Sequence, residues 1–157
     1  TWSMDFVADA LFDGRKFRML ALVDNFSREC LGILVDQSLK ADHVVGLLSE
    51  VVQQRGRPGR IQADNGPEFV SLALDRWAHD NGVTLDFSRP GKPTDNAFIE
   101  SFNGSLRDEC LNTSWFMSLE DAREKIETWR QDYNHFRPHS SLGDETPALF
   151  ARQLTSS

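Results

Sequence analysis

Arg60-Ile61-Gln62-Ala63-Asp64-Asn65-Gly66-Pro67-Glu68 reads as a strand that runs straight into a turn and then a helix. Arg60 to Ala63 is a short apolar run, Asn65-Gly66-Pro67 reverses the chain, and a helix is expected from about Glu68 to Asp80, closed by Asn81-Gly82. Val83 to Phe87 follows as another strand. Before it, Val44, Val45, Leu47, Leu48, Val51 and Val52 recur at helical spacing, with Asp42 in the first turn and Gly56 past the end, so Ala41 to Arg55 is a helix. Helices alternating with strands define an α/β class.

The opening of the chain has a different pattern. Trp2 to Ala8, Phe17 to Asp24 and Cys30 to Val35 are strands, joined by Asp13-Gly14-Arg15 and by Asn25-Phe26-Ser27-Arg28. The sum is a mixed five-stranded sheet, three antiparallel strands followed by two parallel ones, with helices on both faces. Downstream, Ser88-Arg89-Pro90-Gly91-Lys92-Pro93-Thr94 must be a loop. A long helix is expected from near Asp95 to about Leu111, and a last one from Leu119 to Phe136 with Ser118 as its cap. No repeat, low-complexity tract or boundary divides residues 1–157, which read as one domain.

A chain of 157 residues buries roughly two-thirds of its unfolded surface, enough for a core without staples. Cys30 and Cys110 lack CxxC spacing and read as buried filler in a reducing, cytoplasmic setting. No apolar stretch approaches the roughly 20 residues that span a bilayer, so no membrane is expected. The net charge of −7 weighs against nucleic acid, unless metal ions neutralise acids gathered in a site and basic regions lie elsewhere. The chain begins within a strand, which suggests residues upstream.

Three acids occupy positions where acids are costly unless used. Asp5 lies in the apolar strand Trp2-Ser3-Met4-Asp5-Phe6-Val7, where burial without a partner costs several kcal/mol, so it is expected to face a cleft. Asp64 stands at the carboxyl end of a strand, where α/β sheets hold ligands. Glu100 falls early in the helix after the Pro-rich loop, and 35 residues lie between it and Asp64. Singly, each acid also fits a solvated carboxylate or a helix cap.

Together with their flanking words they resemble insertion-sequence transposases of the retroviral-integrase superfamily, which have a ribonuclease-H-like core and a D,D-35-E triad. The resemblance rests on Trp2-Ser3-Met4-Asp5-Phe6, Val23-Asp24-Asn25-Phe26-Ser27-Arg28, Asp64-Asn65-Gly66-Pro67-Glu68-Phe69, Arg89-Pro90-Gly91-Lys92-Pro93-Thr94, Asn96-Ala97-Phe98-Ile99-Glu100-Ser101-Phe102-Asn103-Gly104 and Tyr133-Asn134 through Arg137-Pro138-His139-Ser140-Ser141-Leu142. It departs at Asp95, where the family pattern more often has Gln. It implies Asp5, Asp64 and Glu100 as catalytic, metal-holding acids. It also implies cleavage of transposon-end DNA, strand transfer into target DNA, self-association on paired ends and a nucleoid-associated bacterial location.

Two carboxylates about 4 Å apart repel by about 4 kcal/mol at an effective dielectric of 20, so three together call for cations. All-oxygen ligation selects Mg²⁺ or Mn²⁺, and two such ions suit an in-line phosphoryl displacement. On the long helix Asn96, Glu100, Asn103 and Arg107 share a polar face, with Phe98, Phe102, Leu106 and Cys110 expected in the core. Asn103 and Arg107 are expected at DNA phosphates or bases near the cleaved bond, Asn96 on the same face is expected to bind DNA, and Arg89 and Lys92 add phosphate contacts. His135 and His139 are rejected as a metal pair because Pro138 breaks the helix between them; Tyr133 and Arg137 read as packing for the last helix. Asp24 resembles a further active-site acid, yet its position at a strand end before Asn25 suits a turn, and Glu68 is either a helix-dipole partner or an auxiliary acid. Competing readings are a nuclease of RNA–DNA hybrids and a catalytically silent DNA-binding or dimerisation module.

Overall fold

Alternation along the first strand decides how the layers form. The computed structural model describes residues 1–63, 71–87, 97–135 and 146–147. In β1 (Trp2–Ala10), Trp2 and Met4 point to one core while Val7 points to the other. β1 pairs antiparallel with β2 (Lys16–Asp24), and β2 with β3 (Cys30–Asp36). After α1 (Ala41–Arg55) the chain returns as β4 (Arg60–Ala63), parallel to β1; β5 (Thr84–Phe87) adds parallel to β4 after α2 (Leu72–Asn81). The sheet order is β3-β2-β1-β4-β5, so β1 is central. This is the mixed α/β sheet expected.

One core, with Trp2, Met4, Leu20 and Leu22, lies under α1 and α2. The other, with Val7, Phe17, Met19 and Ala21, lies under α3 (Ala97–Leu106) and α4 (Leu119–His135). Helices therefore cover both faces.

Local chemistry sets the ends of these elements. The Asp24 carboxylate accepts from the N–H groups of Phe26 (2.8 Å) and Ser27 (3.3 Å), which is the turn role its position suggested. Ser118 caps α4 by accepting from Asp121 N at 3.0 Å, and the Asp121 carboxylate accepts in return from Met117 N at 2.9 Å. The described helix α2 starts at Leu72 rather than about Glu68, because Ser71 is extended (φ −142°, ψ 153°) and its Oγ accepts from Leu74 N at 3.2 Å. Gly82 closes α2 with a left-handed φ of 66°. Ser71→Ala should cost about 1 kcal/mol, read as a lower urea midpoint at unchanged slope. No loss of stability would mean that the cap contributes nothing.

The long helix is not uniform. Beyond Leu106 its last turn, Arg107–Leu111, is π-helical, with Asn112 N–H donating to Arg107 O at 2.8 Å. The extra residue per turn lets consecutive Cys110 and Leu111 both bury. The buried stripe of α3 is Ile99, Phe102 and Leu106; Phe98, expected in the core, is 42% exposed. Phe102 packs edge-on against Tyr133 (5.1 Å between centroids) and beside Trp129 (5.5 Å), joining α3 to α4.

Side chains of α4 also reach the outer strand β3. Asn134 accepts from Cys30 N–H (2.8 Å) and donates to Cys30 O (2.9 Å); Arg130 donates to the same carbonyl (2.7 Å) and Arg123 to Val35 O (3.0 Å). Glu29, 6% exposed, is held by both terminal nitrogens of Arg55, which fastens the start of β3 to α1.

Candidate active site on the central strand

Asp5 stands in the middle of the sheet, half-buried, on the face covered by α3 and α4. β4 pairs with β1 only at Trp2↔Ile61 and Ser3↔Gln62. Asp5 therefore lies two residues along β1 from the last of these pairs, and the residue after Ala63 in the sequence is Asp64. Crevices at the carboxyl ends of parallel strands are the usual place for ligands in such sheets.

The Asp5 carboxylate is oriented from two sides. Oδ1 accepts from Phe6 N–H at 2.8 Å, and Oδ2 accepts from the Asn103 side-chain amide at 3.1 Å. The second bond joins residues 98 apart and sets α3 over β1 at Asp5. Amide nitrogen toward carboxylate is the sound assignment, since the flipped amide would set oxygen against oxygen. Asn103 Oδ1 is left buried with no hydrogen-bond partner. Glu100 is one turn earlier on α3 and exposed, and it makes no ion pair among the described residues. Arg107 is exposed, its Nη2 3.5 Å from Ala8 O.

Asp64, Arg89, Lys92 and Asn96 lie outside the described residues, as do Glu68, Asp95, Phe136, Arg137 and His139. The structure thus brings Asp5, Asn103 and the helix bearing Glu100 and Arg107 together. It also shows a polar link that the sequence did not announce. The Ser3 hydroxyl, fully buried, donates to Asn25 Oδ1 (2.8 Å), and Asn25 Nδ2 donates to Gln62 Oε1 (3.2 Å). This chain ties β1, the β2–β3 turn and the end of β4 together two residues before Asp64. A buried Ser in an apolar strand was its single sequence signal.

The donors near Asp5 are oxygens, and the orphaned Asn103 oxygen is an acceptor in want of a positive partner. That set fits a hard divalent cation. Among the described residues no three His, Cys, Asp or Glu side chains are gathered closely enough to hold a metal by themselves. The cysteines offer no alternative. Burial pushes the Cys30 thiol up to about 12 and raises Cys110 as well, so both stay protonated and poor as ligands.

The sheet order, the helices on both faces and the acid at mid-sheet define a ribonuclease-H-like α/β domain. Two sequence signatures described as integrase core domain match, one over residues 1–93 and one over residues 81–147. The chain belongs to the integrase core domain family. It is similar to an uncharacterized 31.7 kDa protein of insertion element IS407 from Burkholderia multivorans, 51% identical over 150 residues, 96% of this chain and 54% of that one. It is also similar to an uncharacterized 39.2 kDa protein of insertion element IS476 from Xanthomonas euvesicatoria, 50% identical over 151 residues, 96% of this chain and 44% of that one. The chain spans about half the length of these relatives. In fold it resembles the catalytic core domain of HTLV-2 integrase in complex with magnesium, at a TM-score of 0.74 and 16% identity over 95% of this chain and 93% of that one. The catalytic core domain of BIV integrase gives 0.73 and 18%, covering 99% and 95%.

Proposed function

We propose that this chain is the catalytic core of an insertion-element transposase, which nicks transposon-end DNA and joins the freed 3′ end to target DNA with the help of Mg²⁺ or Mn²⁺. The observation that carries the reading is the Asn103 to Asp5 hydrogen bond, which puts the helix bearing Glu100 over the acid of the central strand at the end of β4. Magnesium in the HTLV-2 integrase core supports the choice of ion.

Asp5, Asp64 and Glu100 are the residues proposed to hold two ions. Bound there, the ions would polarise the scissile phosphate and make hydroxide available at neutral pH. The protein's own part is orientation. Asn103 presents Asp5 Oδ2 to the cleft, and the Ser3–Asn25–Gln62 chain steadies the strand end that leads to Asp64. Arg89, Lys92, Asn96 and Arg107 are proposed phosphate contacts, which predicts binding that weakens as salt rises. Asn103 is proposed to meet DNA differently. Its amide nitrogen is on Asp5 and its oxygen is buried, so it is proposed to lie beside the DNA near the cleaved bond and to act there through the acid it orients.

Self-association on paired DNA ends belongs to the proposal, supported by the trimeric and dimeric forms described for the HTLV-2 integrase core. A bacterial, cytoplasmic and nucleoid-associated location belongs to it too, supported by the bacterial insertion-element relatives. No described helix is long and apolar enough to cross a membrane.

The test is incubation of full-length protein with labelled element-end DNA and Mn²⁺. Nicks at 3′ ends followed by joined products are expected, and Asp64→Asn should lower their rate by at least about 100-fold, since even outer-shell losses at metal sites cost about 10 to 100-fold. Cleavage of RNA–DNA hybrids alone would make the chain a nuclease; no metal-dependent product would make it a silent DNA-binding module. Near-normal turnover of Asp64→Asn would remove that residue from the site.

A further inference from the structure

Arg28 has a left-handed backbone, φ 67°, unlike any other described non-glycine residue. Long side chains avoid this region, and where they occupy it the surrounding contacts determine the conformation. The contacts here are specific. Arg28 N–H donates to Asp24 O at 2.8 Å, closing the β2–β3 turn, and the guanidinium carbon lies 3.6 Å from the centre of the Phe98 ring. Arg28 Nη1 is buried and has no hydrogen-bond partner, so this part of the group is held by stacking rather than by an acceptor.

Phe98 is in the first turn of α3, two residues before Glu100, and is itself 42% exposed. It is not a core residue, and the Arg28 stack supplies the contact that keeps it on the sheet side. Five residues further on, Asn103 makes the second polar tether of the same helix, to Asp5. Glu100 stands between the two. A span of five residues is about 7.5 Å along a helix, so a carboxylate bracketed in this way has its height and rotation set at both ends.

We propose that Arg28 is a positioning residue, whose stack on Phe98 ties the first turn of α3 to the β2–β3 turn and so fixes where Glu100 stands relative to Asp5. The inference rests on the metal-holding role proposed for Glu100. A planar guanidinium suits the task better than an ammonium, because it lies flat on a ring while its charge meets the face of the π system.

The decisive measurement is residue-resolved amide exchange in full-length protein, wild type against Arg28→Ala. Amides of Ser101 and Phe102 bond the carbonyls of the first turn and should exchange about tenfold faster in the variant, with Ile126 in α4 unchanged. Phe98→Leu should reproduce the effect, Arg28→Lys should restore part of it, and Arg28→Ala combined with Phe98→Leu should be no worse than either alone. In the nicking assay the Mn²⁺ concentration for half-maximal rate should rise about tenfold while affinity for end DNA stays the same. Unchanged exchange at Ser101 and Phe102, or acceleration spread evenly over the chain, would overturn the proposal. So would a loss of DNA affinity at unchanged Mn²⁺ requirement, which would make Arg28 a DNA contact. Absence of metal-dependent nicking in wild type would instead overturn the proposed function, and the exchange readout would still decide whether Arg28 holds α3.

Discussion

Asp5→Asn is expected to lower metal-dependent nicking and joining by at least about 100-fold while leaving the melting temperature unchanged or slightly raised. The substitution keeps the size of the side chain and removes its charge. Asn103 Nδ2 can still donate to the amide oxygen, so the tether between β1 and α3 survives and α3 stays in place. What is lost is the negative charge of the acid proposed to hold metal at mid-sheet. If the three acids share one site as proposed, they repel one another without cations, so removing one charge relieves that repulsion in the metal-free protein. Rates from quenched-gel kinetics and thermal melting of the same preparation check both halves. Near-normal turnover would take Asp5 out of the reaction, whereas a melting point lowered in step with activity would make it a structural acid.

Phe102→Ala acts through the buried stripe of the same helix and should be the most destabilising of these changes. Phe102 is 2% exposed and meets the rings of Tyr133 and Trp129 between α3 and α4. Removing a buried aromatic ring costs about 3–5 kcal/mol, transfer and cavity together. For a domain of this size that is a fall of about 10 °C in melting temperature. Calorimetry of wild type and variant is the check; a fall under about 3 °C would mean that the α3–α4 seam refills the space by repacking.

The same helix shows which parts of the molecule can be read without coordinates. The strands were legible because short apolar runs are bounded by turn signals such as Asp13-Gly14-Arg15, and α1 because its apolar residues keep a helical period between Asp42 and Gly56. On α3 the stripe Phe98, Phe102, Leu106, Cys110 was read at a constant spacing of four. Such a ladder drifts around a helix of 3.6 residues per turn, and Ile99 takes the buried place while Phe98 moves to the rim. The start of α2 was obscured by Pro67-Glu68, which looks like a first turn, although Ser71 makes the cap. At the site, Asp5 was conspicuous as an acid in an apolar strand, and Glu100 drew notice through its family words. The bond from Asn103 to Asp5 and the Arg28–Phe98 stack left no local trace, and the Ser3–Asn25–Gln62 chain left only a Ser within an apolar strand, because each joins residues far apart.

The grip of α4 on β3 has a consequence for solubility. An outer strand with open N–H and C=O groups is a template on which further strands can grow into cross-β aggregates. Here Asn134 and Arg130 occupy Cys30 at one end of the strand, and Arg123 occupies the carbonyl of Val35 at the other. At the opposite border β5 carries Asp86, paired with Arg60 at 3.3 Å. The described part of each border is thus blunted, one by the side chains of a helix and one by a charged pair, which disfavours growth of the sheet along these stretches.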